Sequence, residues 1–429
     1  MFIYCNAMAV PYIVTLATRI AANTSKVSDY LTANDMPQPS FDADAPLYGA
    51  VPETVPEMAA LRQSILQDTA ELRDLMLGPR DYLFSFVHNA LLPQQATTRF
   101  ELARNLPVGG EQTFAEMATK SGLSETGVRK LVRFAVTQRI FEEPKPGVVA
   151  HSAVSRLLAE DSGVHDFVAT CTDDLWQAAA QTCNAMSQFP GSEEPNETGF
   201  TVANNTTEPI HEFMAHFPRR STRFANMMRA FTVGDAFDLK YVADFYPWAQ
   251  HNGGTLVDVG GSQGFVSVDL ARRFPSMKFV VQDLEPVISD AQGQIPSDVT
   301  DRVSLMVHDF FLPQPISNAD VYFFRWIFHN WSDKYAIKIL KNLIPALKPG
   351  AKVIINDAIL LEPGKLPKAM EARVRSFDVV MSTIQNAKER DLNEWIGLFR
   401  RADERFEFKG ATTPPGSQLS LLVAMWRGN

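Results

Sequence analysis

Residues 256–287 read LVDVGGSQGFVSVDLARRFPSMKFVVQDLEPV, and no other stretch limits the fold as tightly. Leu256–Val259 is a short apolar run of buried-strand type. Gly260, Gly261 and Gly264 make the turn after it, Val266–Arg273 has the apolar spacing of an amphipathic helix, and Lys278–Val281 is the next strand. A strand, a glycine turn, a helix and a second strand within so few residues predict a βαβ unit opening a parallel sheet. Glycine suits the turn because a side chain there blocks close approach of backbone to a ligand.

An acid roughly 20 residues beyond such a loop, at the tip of the second strand, suits a ribose diol. Asp283 stands at that distance. The order GGSQG is not GxGxxG and lacks the spacing of a pyrophosphate cradle. The same geometry suits a nucleoside with a small charged tail.

Strand patterns continue through RVSLMVHDFF (302–311), ADVYFFRW (319–326) and KVIINDAIL (352–360). The chain ends in RFEFKG and SQLSLLVAMW, which read as two antiparallel strands around Pro414, Pro415 and Gly416. A parallel sheet finished by an antiparallel strand favours a methyltransferase-type sheet over a nicotinamide dehydrogenase.

The stretch FFRWIFHNWSD (323–333) passes from apolar strand to polar turn, with His329 at the change-over. Ser332 and Asp333 suit the cap of a helix beginning there. In an open α/β sheet, ligands sit outside the carboxyl ends of the strands, so His329 is placed to face that crevice. A phenol has a pKa of about 10 and an imidazole one of about 6.5. A neutral ring within hydrogen-bond reach can take a hydroxyl proton as a new bond forms. The competing reading is a histidine that only closes a strand end. His308 beside Asp309 lacks a spaced set of further ligands, so no metal is expected. His151 reads as a hairpin residue.

The N-terminal part is more helical. Ile13, Leu16, Ile20, Val27 and Leu31 predict a helix near 12–34, residues 36–57 an extended arm, and Leu61, Ile65, Leu72 and Leu75 a helix over 58–78. Residues 113–152 read as helix, turn at Gly122, helix capped by Ser124, and hairpin, a winged-helix outline. Arg129, Lys130 and Arg133 on the second helix raise DNA recognition, but the formal net charge of −9 favours packing or dimer contacts instead. Residues 187–210 are polar and turn-rich and read as a surface insertion.

The first residues are apolar but carry no Lys or Arg before Arg19, and Asn6 and Pro11 interrupt them, so no secretion signal or membrane span is expected. Cys5, Cys171 and Cys183 form no disulfide framework or zinc pattern, which points to a reducing, cytoplasmic setting.

The stretches VDVGGSQG, QDLEPV, HDFF, RWIFHNWSD, ALKPGAKVIINDAIL and KERDLNEW occur in an order and spacing that resembles the S-adenosylmethionine-dependent O-methyltransferases of the plant caffeate/flavonoid and fungal secondary-metabolite type. The resemblance covers roughly residues 60–428. It implies a class I methyltransferase fold, a Rossmann-like sheet with an antiparallel last strand, preceded by a mostly α-helical winged-helix dimerisation domain. The expected division is an N-terminal arm over 1–57, a dimerisation domain over 58–240 and a cofactor domain over 241–429.

By resemblance, Gly260, Gly261 and Gly264 back the methionine end of S-adenosyl-L-methionine. Asp283, with Leu284 beside it, takes the ribose; Asp309 lies by the adenine and Phe310 stacks. Arg325 also belongs to the cofactor site, where a lysine is more usual. His329 matches the catalytic base, with Asp357 and Glu389 as flanking acids. Trp326, Phe213 and Phe217 line the acceptor pocket.

A homodimer and a small-molecule acceptor are implied, with no nucleic acid, membrane or metal. Three positions depart from the family pattern: Ser262 replaces a glycine, Asn330 an aspartate, and Asp357 a glutamate. Some fungal relatives use the same fold for dehydration or pericyclic cyclisation without methyl transfer, which is the rival activity. A winged-helix regulator with a methyltransferase-like sensor is the non-enzyme rival.

Overall fold

The structure is a computed structural model that describes residues 10–428 apart from residues 50, 53, 233 and 234. The chain divides into two compact units. One holds the residues up to Asp174 together with Arg219–Ala230 and Pro367–Met370; the other holds Leu175–Pro218, Phe231–Leu366 and Glu371–Asn429. The boundary expected near 240 therefore falls inside the second unit. Most of the apolar N-terminal run, and Cys5 with it, lies outside the described residues.

In the first unit, helix Tyr12–Ala33 buries Leu16, Val27 and Leu31. Helix Pro56–Phe84 follows, running past the expected end at 78. Gly78, at φ 67° and ψ 172°, breaks it before Pro79, because proline disfavours α geometry in the residue before it. Strand β1 (Glu111–Thr113) leads into helix Phe114–Ser121, which Gly122 ends in the left-handed region. Helix Glu125–Thr137 starts at Ser124, whose hydroxyl accepts from Gly127 N. Strands β2 (Phe141–Lys145) and β3 (Val148–His151) complete a sheet of order β1-β3-β2. His151 is buried there, with Nδ1 on Ser155 Oγ at 2.8 Å and Nε2 on the Leu106 carbonyl at 3.0 Å, a structural role.

The second unit is built on seven strands: β4 (Thr255–Val259), β5 (Lys278–Asp283), β6 (Val303–Val307), β7 (Val321–Arg325), β8 (Lys352–Asp357), β9 (Phe406–Thr412) and β10 (Ser420–Trp426). Their order is β6-β5-β4-β7-β8-β10-β9. The first five are parallel, and β10 runs antiparallel to both neighbours.

Central β7 shows why these residues form a strand. Tyr322 and Phe324 enter the apolar cluster on one face of the sheet, Val321 and Phe323 the cluster on the other. A strand covered on both faces needs apolar residues at every position, not at alternate ones. Each such ring contributes about 1.5–3 kcal/mol of burial.

Residues 187–210 are not a surface insertion. Helix Gly199–Asn204 packs on helix Trp176–Gln188, with Phe200, Thr198 and Thr201 buried. A Cβ on Gly199 would strike the Ala178 carbonyl oxygen and come within 3.0 Å of Thr182 Cα, so the contact is backbone on backbone. The segment looks polar because Thr198 and Thr201 satisfy each other in a capping box.

Candidate active site

The glycine loop follows β4 and is drawn against the next strand by its own backbone. Gly260 N and Gly261 N both donate to the Gln282 carbonyl, at 2.8 and 3.0 Å. Gly260 has φ 73°, and a Cβ there would collide with Ile327 Cδ1 and lie 3.8 Å from Phe310. A Cβ on Gly261 would lie 2.6 Å from Asp258 Cγ. Gly264 is the left-handed residue before helix Phe265–Arg273. Ser262 accepts φ 53°, so the departure from glycine is accommodated at this position.

Asp283 ends β5 and straddles the loop. Its Oδ2 accepts from Ser262 N at 2.9 Å and its Oδ1 from Leu284 N at 2.8 Å. Burial raises its pKa against the pull of those two bonds. Leu284 is exposed. Asp258 lies beneath, buried, its carboxylate accepting from Ser267 Oγ at 2.7 Å, and burial pushes it up to about 6. Ser262 is exposed and Gly260, Gly261 and Gln263 are partly so, with a partly buried carboxylate at one end of the loop. That combination fits a nucleoside with a compact charged tail.

Asp309 closes a turn, accepting from Phe311 N at 2.8 Å. Phe310 packs edge-on against Phe311 and Trp331. Arg325 is committed within the protein: it donates to Asn356 Oδ1 and, at 2.6 Å, to the Phe237 carbonyl. Burial brings it down to about 10.

Trp326 adopts φ 55°, unusual for an aromatic residue, and its ring meets Phe237 edge-on at 5.2 Å. Phe213 packs against Phe217, with centroids 5.0 Å apart, and against Phe200.

His329 lies in the short turn Phe328–Asn330 and is 5 % exposed. Its Nδ1 meets Glu389 Oε1 at 3.0 Å, and the ring stacks on Phe377 at 6.1 Å. A buried ring resists charging, but the Glu389 hydrogen bond and the Asp357 charge outweigh that, and the His329 pKa is raised.

Of the two acids, Glu389 is the one on the ring. Asp357 accepts from Phe328 N at 3.1 Å and so holds the turn. It is wholly buried, which pushes it up to about 7. Asp357 Oδ1 and Glu389 Oε2 are buried without a hydrogen bond. Asn330 does not orient the ring; it donates to the Trp326 carbonyl at 2.9 Å and accepts from Gln385 at 3.1 Å.

Three supports were missed in the sequence. Asp378 accepts from Glu389 N at 2.8 Å. Arg390 is fully buried against the turn. Glu193 caps helix Asp333–Leu343: its Oε1 accepts from Lys334 N at 3.0 Å, while Ser332 Oγ donates to the Glu193 carbonyl. Ser332, expected as the cap, makes no such bond. The stretch KERDLNEW held Glu389 and Arg390 side by side, but only the fold reveals what Arg390 reaches.

Among the described residues no group of acids, histidines or cysteines is arranged to hold a metal, and no helix is long and apolar enough to cross a membrane.

Residues 240–404 match the O-methyltransferase domain family. The chain is 38% identical over 418 residues to the grayanic acid biosynthesis cluster O-methyltransferase of Cladonia grayi, covering 97% of this chain and 88% of that one. It is 39% identical over 419 residues to the chlorophenol O-methyltransferase of Trichoderma longibrachiatum, covering 96% and 89%. The fold is similar to OxaC in complex with sinefungin and meleagrin, with TM-score 0.72 at 19% identity, covering 95% and 99%. It is also similar to a pericyclic reaction enzyme, with TM-score 0.68 at 20% identity, covering 96% and 100%. The chain belongs to the S-adenosyl-L-methionine-dependent O-methyltransferase family.

Proposed function

We propose that this enzyme methylates a hydroxyl of a small aromatic or polyketide-type secondary metabolite, with His329 as general base. One observation carries the reading. The His329 ring is paired through Nδ1 to Glu389, and the same turn presses Ile327 against Gly260 of the loop. A base and a nucleoside cradle thus adjoin at the strand ends.

S-adenosyl-L-methionine, when bound, supplies an activated methyl group. The chain has to hold two reactants in line and accept one proton. Gly260 and Gly261 offer partly exposed backbone to the methionine end, buried Gly264 closes the loop against Val281, and Asp283, beside Leu284, is the acceptor for the ribose hydroxyls. Asp309 and Phe310 flank the adenine. Arg325 acts at one remove, positioning Trp326 by the bonds that fix its own guanidinium. Phe213, Phe217 and Trp326 offer apolar surface to the acceptor. His329 Nε2 takes the hydroxyl proton, and Glu389 steadies the charged ring through Nδ1. Positioning supplies most of the rate.

The winged-helix arrangement of residues 113–152 serves packing in this reading. Met76, Leu83, Phe84, Phe86 and Val87 are exposed apolar residues and support a second copy of the chain as partner. The free thiols Cys171 and Cys183 support a cytoplasmic setting.

Methyl-labelled cofactor, incubated with the protein and a panel of chlorinated and polyketide phenols, tests the reading. Label in an aryl methyl ether is the expected result. A rearranged or dehydrated product with the cofactor intact would replace it with the cyclisation chemistry.

A further inference from the structure

Arg390 is the largest charged side chain buried in the second unit, and the proposed chemistry gives it no direct part. Its guanidinium makes three bonds. Nη1 donates to the Phe328 carbonyl at 2.9 Å, Nη2 to the Trp331 carbonyl at 2.8 Å, and Nε to Asp333 Oδ1 at 2.9 Å. Its face lies over the Trp395 indole, 5.3 Å from the centroid. Phe328 and Trp331 bracket the turn that carries His329, and Arg390 directly follows Glu389.

We propose that Arg390 is the positioning residue of the His329–Glu389 pair: one side chain ties the loop bearing the acid to both ends of the turn bearing the base. The inference rests on His329 acting as the base.

The rest of the loop is anchored so that this tie determines the separation. Glu389 N donates to Asp378, and Leu360 N donates to the Arg390 carbonyl at 2.9 Å. From the opposite side, Asp357 holds Phe328 N. The turn is therefore gripped at its N–H by one buried side chain and at its carbonyls by another. Arginine is suited to this because its planar fork serves several acceptors at once, which the single ammonium of lysine cannot reproduce. Asp333 completes the arrangement and also binds Arg401 at 2.6 Å, so the clamp is braced from the surface.

The groups facing His329 are Glu389, Asp357 and Arg390. Removing the Arg390 charge would itself alter the ring's titration. Arg390→Lys keeps the charge and loses the fork, and so isolates geometry.

The test is Arg390→Lys beside wild type, read by turnover, by cofactor affinity and by the NMR titration of the His329 ring. Turnover is expected to fall about 10- to 100-fold, with cofactor Kd within about twofold. The ring is expected to titrate lower than in wild type, because the Glu389 bond is loosened. Asp333→Glu, a milder change at the outer end that keeps the charge but displaces the carboxylate, is expected to move turnover and titration in the same directions by less, and decides the matter if the lysine variant does not fold. Unchanged titration and unchanged turnover in the folded variants would overturn the proposal. The titration needs no substrate, so an enzyme that rearranges its acceptor instead of methylating it leaves this result readable.

Discussion

The loop Gly260–Gly264 and the turn Phe328–Asn330 lie at the ends of neighbouring strands, β4 and β7, and are held by opposite means. The loop hangs mainly from backbone: two of its N–H groups share the Gln282 carbonyl, and one side chain, the Asp283 carboxylate, takes a third. Its glycines are set by what a Cβ would strike. The turn hangs from side chains: Asp357 takes its N–H, Arg390 its carbonyls, and Glu389 its imidazole. The first construction leaves a partly exposed surface for a large ligand. The second buries one titratable ring among charged groups and sets its proton affinity. On the proposed function, binding and proton transfer fall to separable structures.

The sharpest break of that comparison is His329→Ala. Turnover should fall by about 10²–10⁴-fold, the usual contribution of general base catalysis. Cofactor binding, measured calorimetrically, should stay within a factor of about two. A comparable loss of cofactor affinity would mean that loop and turn are not separable. Asp283→Ala is the converse. It removes a charged acceptor at the loop, and cofactor Kd should rise about 10- to 100-fold, the cost of a charge-assisted hydrogen bond of about 1.5–3 kcal/mol. The His329 titration should not move with it.

The two constructions also differ in how legible they are. The loop, β4, β5 and Asp283 were readable because every partner falls within one βαβ unit, where apolar spacing and glycine placement carry the information. The turn was readable only in part. His329 was legible from its place at a strand end, Asp357 and Glu389 only through resemblance, and the share of each acid was not legible. Arg390 reaches Asp333, Trp331 and Phe328 across 57, 59 and 62 positions. Local periodicity says nothing at that range. The misread segment 187–210 failed similarly: its polar residues bond one another or reach helix Asp333–Leu343 some 140 positions on, and composition alone made it look solvated.

A finer test separates the two acids of the turn. As the proposed base, His329 must be neutral, so activity should rise as pH climbs through a His329 pKa above the usual 6.5. Glu389→Gln removes the carboxylate charge that helps raise it, leaving an amide acceptor on Nδ1 and the Asp357 charge to oppose burial. The acid limb of the pH–rate profile should move to lower pH while the maximal rate drops. Asp357→Asn should do less, with a rate loss of under about tenfold. Asparagine still accepts from Phe328 N, and a carboxylate pushed up to about 7 is partly protonated at neutral pH in any case. Equal effects of the two substitutions would mean that the acids share the ring, not that one orients it and the other holds the turn.

The smallest expected effect comes from the cap. Glu193→Ala deprives Lys334 N of its acceptor at the start of helix Asp333–Leu343, and an N-terminal cap contributes about 0.5–2 kcal/mol. Glu193 is exposed, so the lower end of that range applies. Thermal unfolding should shift down by a few degrees at most, about the shift expected for 1 kcal/mol in a chain of this size. The Ser332 bond to the Glu193 carbonyl remains, as do the bonds from Tyr335 and Asn386 to Glu194, so the segment stays docked. Turnover should hardly change, because Arg390 and Asp357 fix the turn from the other side of Asp333. A large loss of turnover with little loss of stability would show that the base is positioned from the 187–210 segment as well, and would move that segment from support into the catalytic apparatus.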